Sequence, residues 1–164
     1  MAAAPEKPLP ASAQRVQQAL AAAGADSKVI ELSVAARTSQ QAADALGIEV
    51  GQIAKSLIFR AVASGRAVLV IAAGDRRVDE ARISALLGEA IERATPGFVR
   101  EYSSFAIGGV APIGHARPMT TFIDASLRRF AVVWAAGGTP HCVFPIAPGD
   151  LVRISGGTET ATDR

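Results

Sequence analysis

Cysteine, histidine and aromatic side chains are scarce in this chain. The single cysteine, Cys142, has no partner for an intrachain disulfide, and with only two histidines it does not make a plausible zinc set. No metal and no cofactor are therefore expected. No apolar run approaches the ~18 residues of a membrane helix. The opening Met1-Ala2-Ala3-Ala4-Pro5-Glu6-Lys7-Pro8 also lacks the apolar core of a signal peptide. A soluble, cytoplasmic protein without membrane contact is the expectation. Aromatic residues make up 5% of the chain, so the core has to be built from Val, Ile, Leu and Ala.

What is present is a chain of 164 residues with 49% hydrophobic residues and a mean hydropathy of +0.27. That is enough for one packed domain and too apolar for a mainly disordered protein. A net charge of +2 does not announce a nucleic-acid binder, although the Arg76-Arg77 and Arg128-Arg129 pairs allow local basic patches.

Residues 1–11 are rich in Ala and Pro and 156–164 in Gly and Thr, so they are expected to be a flexible arm and tail around a domain at 12–155. Ser12 is a candidate cap for a helix carrying Val16 and Leu20, with Gly24 as its stop. A short strand is expected at 28–32. Thr38-Ser39-Gln40-Gln41 has capping-box spacing, and Gly47 closes the helix that follows. Residues 56–62 and 67–73 read as a hairpin around Ala63-Ser64-Gly65-Arg66. Asp79 caps a helix ending at Gly88, and Thr95-Pro96 starts another. Strands at 121–124, 131–136 and 141–146 join the same sheet, and Pro148 opens a last helix. The fold class is α/β: a single mixed domain with a curved, mainly antiparallel sheet flanked by helices.

Lys55 stands out. It is one of three lysines among fourteen arginines, and it interrupts the apolar run Ile53-Ala54-Lys55-Ser56-Leu57-Ile58-Phe59. An ammonium at the mouth of a buried strand is costly unless it is paired or meets an anionic ligand. Strand alternation can equally point it to solvent, and both readings stay open. The second informative segment is Gly108-Gly109-Val110-Ala111-Pro112-Ile113-Gly114-His115-Ala116-Arg117-Pro118. Its glycines let backbone N–H groups approach a ligand and its prolines limit the alternatives, although an ordinary surface crossover uses the same residues.

Several chemistries are excluded. No Gly-Lys-Ser/Thr phosphate loop and no Gly-x-Gly-x-x-Gly is present. Ser103, Ser104 and Ser126 lack a nucleophile-elbow context, and His141 beside Cys142 cannot share a strand face with it. Asp75, Asp79 and Glu80 read as turn and helix-start residues rather than a catalytic carboxylate pair.

Val50 to Phe59, Gly74 to Asp79, Gly108 to Gly114 and Val133 to His141 stand in this order along the chain. Together these four segments resemble the YbaK/ProX family of trans-acting aminoacyl-tRNA deacylases, which is related to the insertion domain of bacterial prolyl-tRNA synthetase. The resemblance spans roughly residues 28–155. It implies hydrolysis of the ester of mischarged tRNA, most often tRNA for proline carrying a small wrong amino acid, assisted by the substrate's 2′-hydroxyl and a water. It assigns catalysis to Lys55, Gly108 and Gly109. Ser56, Val110, Ala111, Pro112, Ile113, Gly114 and His141 become substrate-binding residues. The implied partner is the 3′-terminal CCA end of mischarged tRNA, with prolyl-tRNA synthetase a candidate second partner. A non-catalytic tRNA- or synthetase-binding module and a small-molecule esterase on the same fold are the alternatives. Lys55 and the intact Gly108/Pro112 loop favour the enzyme.

Overall fold

Helix boundaries follow from side chains that satisfy free backbone groups at the ends. The computed structural model describes residues 8–163. The helices are α1 (Ala11–Ala22), α2 (Ser39–Leu46), α3 (Glu80–Leu87), α4 (Pro96–Ser103) and α5 (Pro148–Ser155). Thr38 caps α2 by accepting from the Gln41 amide at 3.1 Å. The returning Gln41 side chain, however, accepts from the Arg37 amide at 2.9 Å rather than from Thr38. Asp79 caps α3 as expected, and α4 starts at Pro96 as expected, with Thr95 as its cap. Ser12 does not cap α1. The helix starts earlier, because the Gln14 amide already donates to Pro10 O at 2.9 Å, and this leaves Ser12 inside the first turn.

The strands are β1 (Ile30–Glu31), β2 (Ile53–Ala61), β3 (Ala67–Ala73), β4 (Ile91–Arg93), β5 (Thr120–Asp124), β6 (Val133–Ala136), β7 (Cys142–Ile146) and β8 (Thr158–Thr160). They form one mixed sheet in the order β1-β7-β6-β2-β3-β5-β8, with β4 added beside β2. Antiparallel pairing holds β1 to β7, β6 to β7, β2 to β3 and β2 to β4, while β2–β6, β3–β5 and β5–β8 are parallel. β3 is buried along its whole length, as expected for an apolar strand covered on both faces.

One face of the sheet carries α1, α4 and α5, whose Val16, Leu20, Val99 and Leu151 pack on Ala54, Ile58, Leu69, Ile71 and Phe144. On the other face, Ile83 of α3 packs on Phe59, Val68, Val70 and Phe122. Ala42 and Ala43 of α2 cover Ile53 nearby. A gap between α2 and α3 on this second face is where the odd-numbered residues in the middle of β2 emerge.

The C-terminal segment corrects the expected tail. Residues 158–160 pair with β5, the Asp79 amide donates to Thr162 O at 2.8 Å, and Arg76 pairs with Asp163 at 3.2 Å. Its short run, rich in Gly and Thr, lacks the apolar alternation that marks a strand, so only the pairing partner reveals it. Of the expected N-terminal arm, residues 1–7 lie outside the described residues. Leu9 packs against the core and Ala11 opens α1.

Candidate active site

The site begins with an incomplete strand edge. β2 pairs with β3 from Ala54 to Arg60 on one side. On its other side β6 takes only Ile53 and Ala54, and β4 takes only Phe59 to Ala61. Among the described residues no strand pairs with 55–58 on that side, and a cleft with two lobes opens there. Lys55, Ser56, Leu57, Ile107, Gly108 and Val110 line both lobes. The first, about 470 Å³, runs toward α2 and β6 and is walled by Ala54, Trp134, Ala135 and Pro140. The second, about 460 Å³, runs toward β4 and the start of α3, past Phe59, Arg77, Val78 and Arg93.

Lys55 is the third residue of β2 rather than a residue at the strand's mouth, because pairing begins at Ile53. It is half-buried and shares the face of Ile53 and Phe59. Burial pushes its ammonium below the ordinary lysine range, and the Asp75 carboxylate opposes that shift. Asp75 is not free to neutralise it. Both carboxylate oxygens accept from Arg129, at 2.8 and 2.7 Å, and Arg76 lies 3.8 Å away. The hydrogen bond from Arg129 is the main reason that the Asp75 carboxyl titrates below its usual range. Lys55 therefore feels a fixed anion without being captured by it, which leaves the ammonium available to a ligand.

The loop after α4 brings backbone to the same cleft. Gly108 has φ +95°, in the left-handed region that L side chains rarely adopt. Gly109 lies flat against Thr139, where a Cβ would approach the Thr139 Cα to 2.7 Å. The Gly109 amide closes a turn on Ala106 O at 3.0 Å, and among the described residues no backbone carbonyl accepts from the amides of Gly108 or Val110. Beyond Val110 the chain turns inward. Ala111, Pro112 and Ile113 are buried, and Gly114 packs against α1, with its φ of +78° and Ala19 Cβ 3.7 Å from where its own Cβ would sit. Of the loop residues expected to bind substrate, only Val110 reaches the cleft, alongside Gly108. Gly109, Ala111, Pro112, Ile113 and Gly114 shape the loop from behind.

Residues 33–154 match the family model of the aminoacyl-tRNA editing domain. The chain belongs to the aminoacyl-tRNA editing-domain family. The uncharacterized protein YwhH of Bacillus subtilis is 32% identical over 130 residues, covering 79% of this chain and 82% of that protein. The proline--tRNA ligase of Nitratidesulfovibrio vulgaris strain Hildenborough is 31% identical over 94 residues, which are 57% of this chain and 16% of the ligase. A crystal structure described as that of a candidate trans-editing enzyme for prolyl tRNA synthetase superposes with a TM-score of 0.90 at 42% identity. That match covers 96% of this chain and 99% of the other.

Two further residues of the editing domain part company at the cleft. Ser56 faces the opposite side of β2 from Lys55, and its Oγ is buried without a hydrogen-bond partner among the described residues. His141 does not line the cleft. It is exposed just before β7, its amide donates to Thr139 Oγ1 at 3.1 Å, and its carbonyl accepts from Leu32 at 2.6 Å. Its neighbours Pro140 and Cys142 line the first lobe instead, so the residue between them is turned outward. Sequence analysis assigned no site role to Ile107, which is 57% exposed at the junction of the lobes, nor to the side walls Trp134, Arg77 and Arg93, although it placed Trp134 in a family-like segment and Arg77 in a basic pair. An isoleucine directly before a Gly-Gly turn and the chain's one tryptophan were the available signals. The Cys142 thiol is pushed up by burial, which makes it a poor nucleophile at neutral pH. Among the described residues no group of three or more His, Cys, Asp or Glu side chains is placed to hold a metal ion. No helix there is long and apolar enough to cross a membrane.

Proposed function

We propose that this editing domain acts in trans to hydrolyse the ester joining a wrong, small amino acid to tRNA, with tRNA for proline as the substrate. One observation carries this reading: a half-buried lysine with no ion-pair partner among the described residues stands on the unpaired edge of β2, in a cleft that it shares with Gly108 and Val110. The kinship with proline--tRNA ligases and with the candidate trans-editing enzyme supports the choice of tRNA.

Neither histidine lines the cleft, so Ser56 and Cys142 have no imidazole to activate them there. As the family resemblance implies, the attacking oxygen comes from water, with the terminal adenosine's 2′-hydroxyl assisting. Water adds to the ester carbonyl carbon, the bond from that carbon to the ribose oxygen breaks, and free amino acid and tRNA leave. Lys55 fixes the phosphate or ribose of the CCA end, and the amides of Gly108 and Val110 receive the developing oxyanion. One such donor contributes on the order of 3 kcal/mol in hydrolases. Arg77 and Arg93, exposed in the second lobe, offer charge to the strand's phosphates.

The need for such a site is physical. A synthetase pocket discriminates by only ~1–3 kcal/mol per methylene, so a smaller amino acid slips through and must be removed afterwards. A deacylation panel tests the proposal, using tRNA for proline charged in turn with alanine, cysteine, serine, threonine, 2-aminobutyrate and proline. Hydrolysis of at least one small wrong amino acid with proline spared is expected, and a panel in which nothing turns over would refute it.

A further inference from the structure

Helix α1 lies before the region that matches the family model, yet it reaches the cleft loop, where Ala19 packs beside Gly114 and the Arg15 side chain extends to both ends of the loop. Arg15 is half-buried, and its guanidinium stacks 4.3 Å from the centroid of the Phe105 ring. Nε donates to Gly114 O at 3.2 Å, while Nη2 donates to Ser104 O at 3.0 Å and to Ser103 O at 3.5 Å. Ser103 and Ser104 end α4, where the helix dipole favours a cation, and Gly114 closes the loop that contains Gly108. One planar group therefore ties together the two ends of the segment whose middle faces the substrate. Two further contacts complete the support. Phe105 meets His115 edge-on with centroids 6.3 Å apart, and His115 Nε2 lies 2.7 Å from Ala111 O.

We infer that Arg15 is a positioning residue for editing: it clamps the 104–114 loop so that the amides of Gly108 and Val110 stand at a fixed place in the cleft. This rests on the proposed deacylase reading for its catalytic consequence, but the clamp itself is a statement about the loop. The chemistry is specific to arginine. Its fork reaches carbonyls in two directions while its flat face stays on Phe105, whereas lysine has one ammonium and no face to stack. The tethers span the loop's ends, so loosening them lets the middle wander. A misplacement of ~1 Å at a reacting centre costs ~10²-fold in rate. Arg15 lines neither lobe, so the substrate affinity that the proposed reading places on Lys55 and the lobe walls is expected to change little.

The test uses the full chain with Arg15→Lys, and with Arg15→Gln as a second variant should the first fold poorly. Amide hydrogen exchange is followed in peptides covering 105–114 and 53–61. Exchange in 105–114 is expected to quicken at least tenfold while 53–61 stays at the wild-type rate. Unchanged exchange in 105–114 in a folded variant overturns the clamp, whether or not the wild type edits. Where the wild type deacylates, kcat is expected to fall tenfold or more with KM within about twofold, and addition of methylguanidinium to Arg15→Ala is expected to restore part of kcat. A variant with wild-type kcat, or one whose loss lies only in KM, overturns the positioning role. A wild type inactive on every charged tRNA, with quickened loop exchange in the variant, refutes the deacylase reading and leaves the clamp standing.

Discussion

Arg129 grips Asp75 through two hydrogen bonds of 2.8 and 2.7 Å, and the carboxylate held in this way is the anion that moderates the burial of Lys55. The two residues lie 54 positions apart in sequence. They sit together because the turn after β3 and the turn after β5 meet at the head of β2.

A first prediction follows for pH dependence. The negative charge of Asp75 raises the Lys55 pKa, so Asp75→Asn lets burial lower it further. If the ammonium form is the active one, the alkaline limb of the kcat/KM profile shifts to lower pH in the variant. A limb at the wild-type position would disconnect Asp75 from Lys55.

Stability gives the opposite sign for Lys55 itself. Its folded pKa lies below the ordinary lysine value, so the folded chain holds that proton less tightly than the unfolded chain does. Stability from this group is therefore lowest below the folded pKa and rises as pH climbs through it toward the unfolded value. Lys55→Met is expected to be at least as stable as the wild type at pH 7, with an advantage that shrinks as pH approaches the ordinary lysine range. Thermal melts of both proteins across that range check it, and an advantage that grows with pH contradicts it.

The loop residues separate by role. Gly108→Ala places a side chain at φ +95°, and Gly109→Ala drives a Cβ into the Thr139 backbone. Each is expected to lower single-turnover deacylation tenfold or more. Ile113, buried at 7% exposure behind the loop, answers differently: Ile113→Val should cost ~1 kcal/mol of stability and leave turnover within about threefold. Equal small effects on rate from all three count against a main-chain oxyanion site.

Much of this architecture was legible in the chain, and the failures have physical causes. Caps at Thr38, Asp79 and Thr95 and stops at Gly47 and Gly88 are local chemistry, so the sequence shows them. The hairpin of β2 and β3 was legible for the same reason. β4 and β8 were not, because three-residue strands carry no period and exist only through a distant partner. At the site, Lys55 and Gly108 were visible as a charge in an apolar run and a glycine in a stiff loop. The outward turn of His141 depends on which of three consecutive residues faces the lobe, and the register of β7 against β6 decides that. The unpaired edge of β2 is a property of the whole sheet and is not written in any one segment.

Specificity should track this corrected geometry. Ser56→Ala removes a buried hydroxyl that has no partner among the described residues, so it should leave stability unchanged or raised and reorder the ranking of mischarged substrates. His141→Ala should leave the ranking as it is. Ratios of kcat/KM across the charged-tRNA panel check both, and a reordered ranking in His141→Ala would return that residue to the pocket.

The most direct test of the central claim is single-turnover deacylation of the best mischarged tRNA by wild type and Lys55→Ala, with folding verified by circular dichroism. The account predicts a folded variant slowed by ~10²-fold or more, the scale expected when a positioning contact at the reacting centre is lost. A folded Lys55→Ala protein that deacylates at the wild-type rate would contradict it.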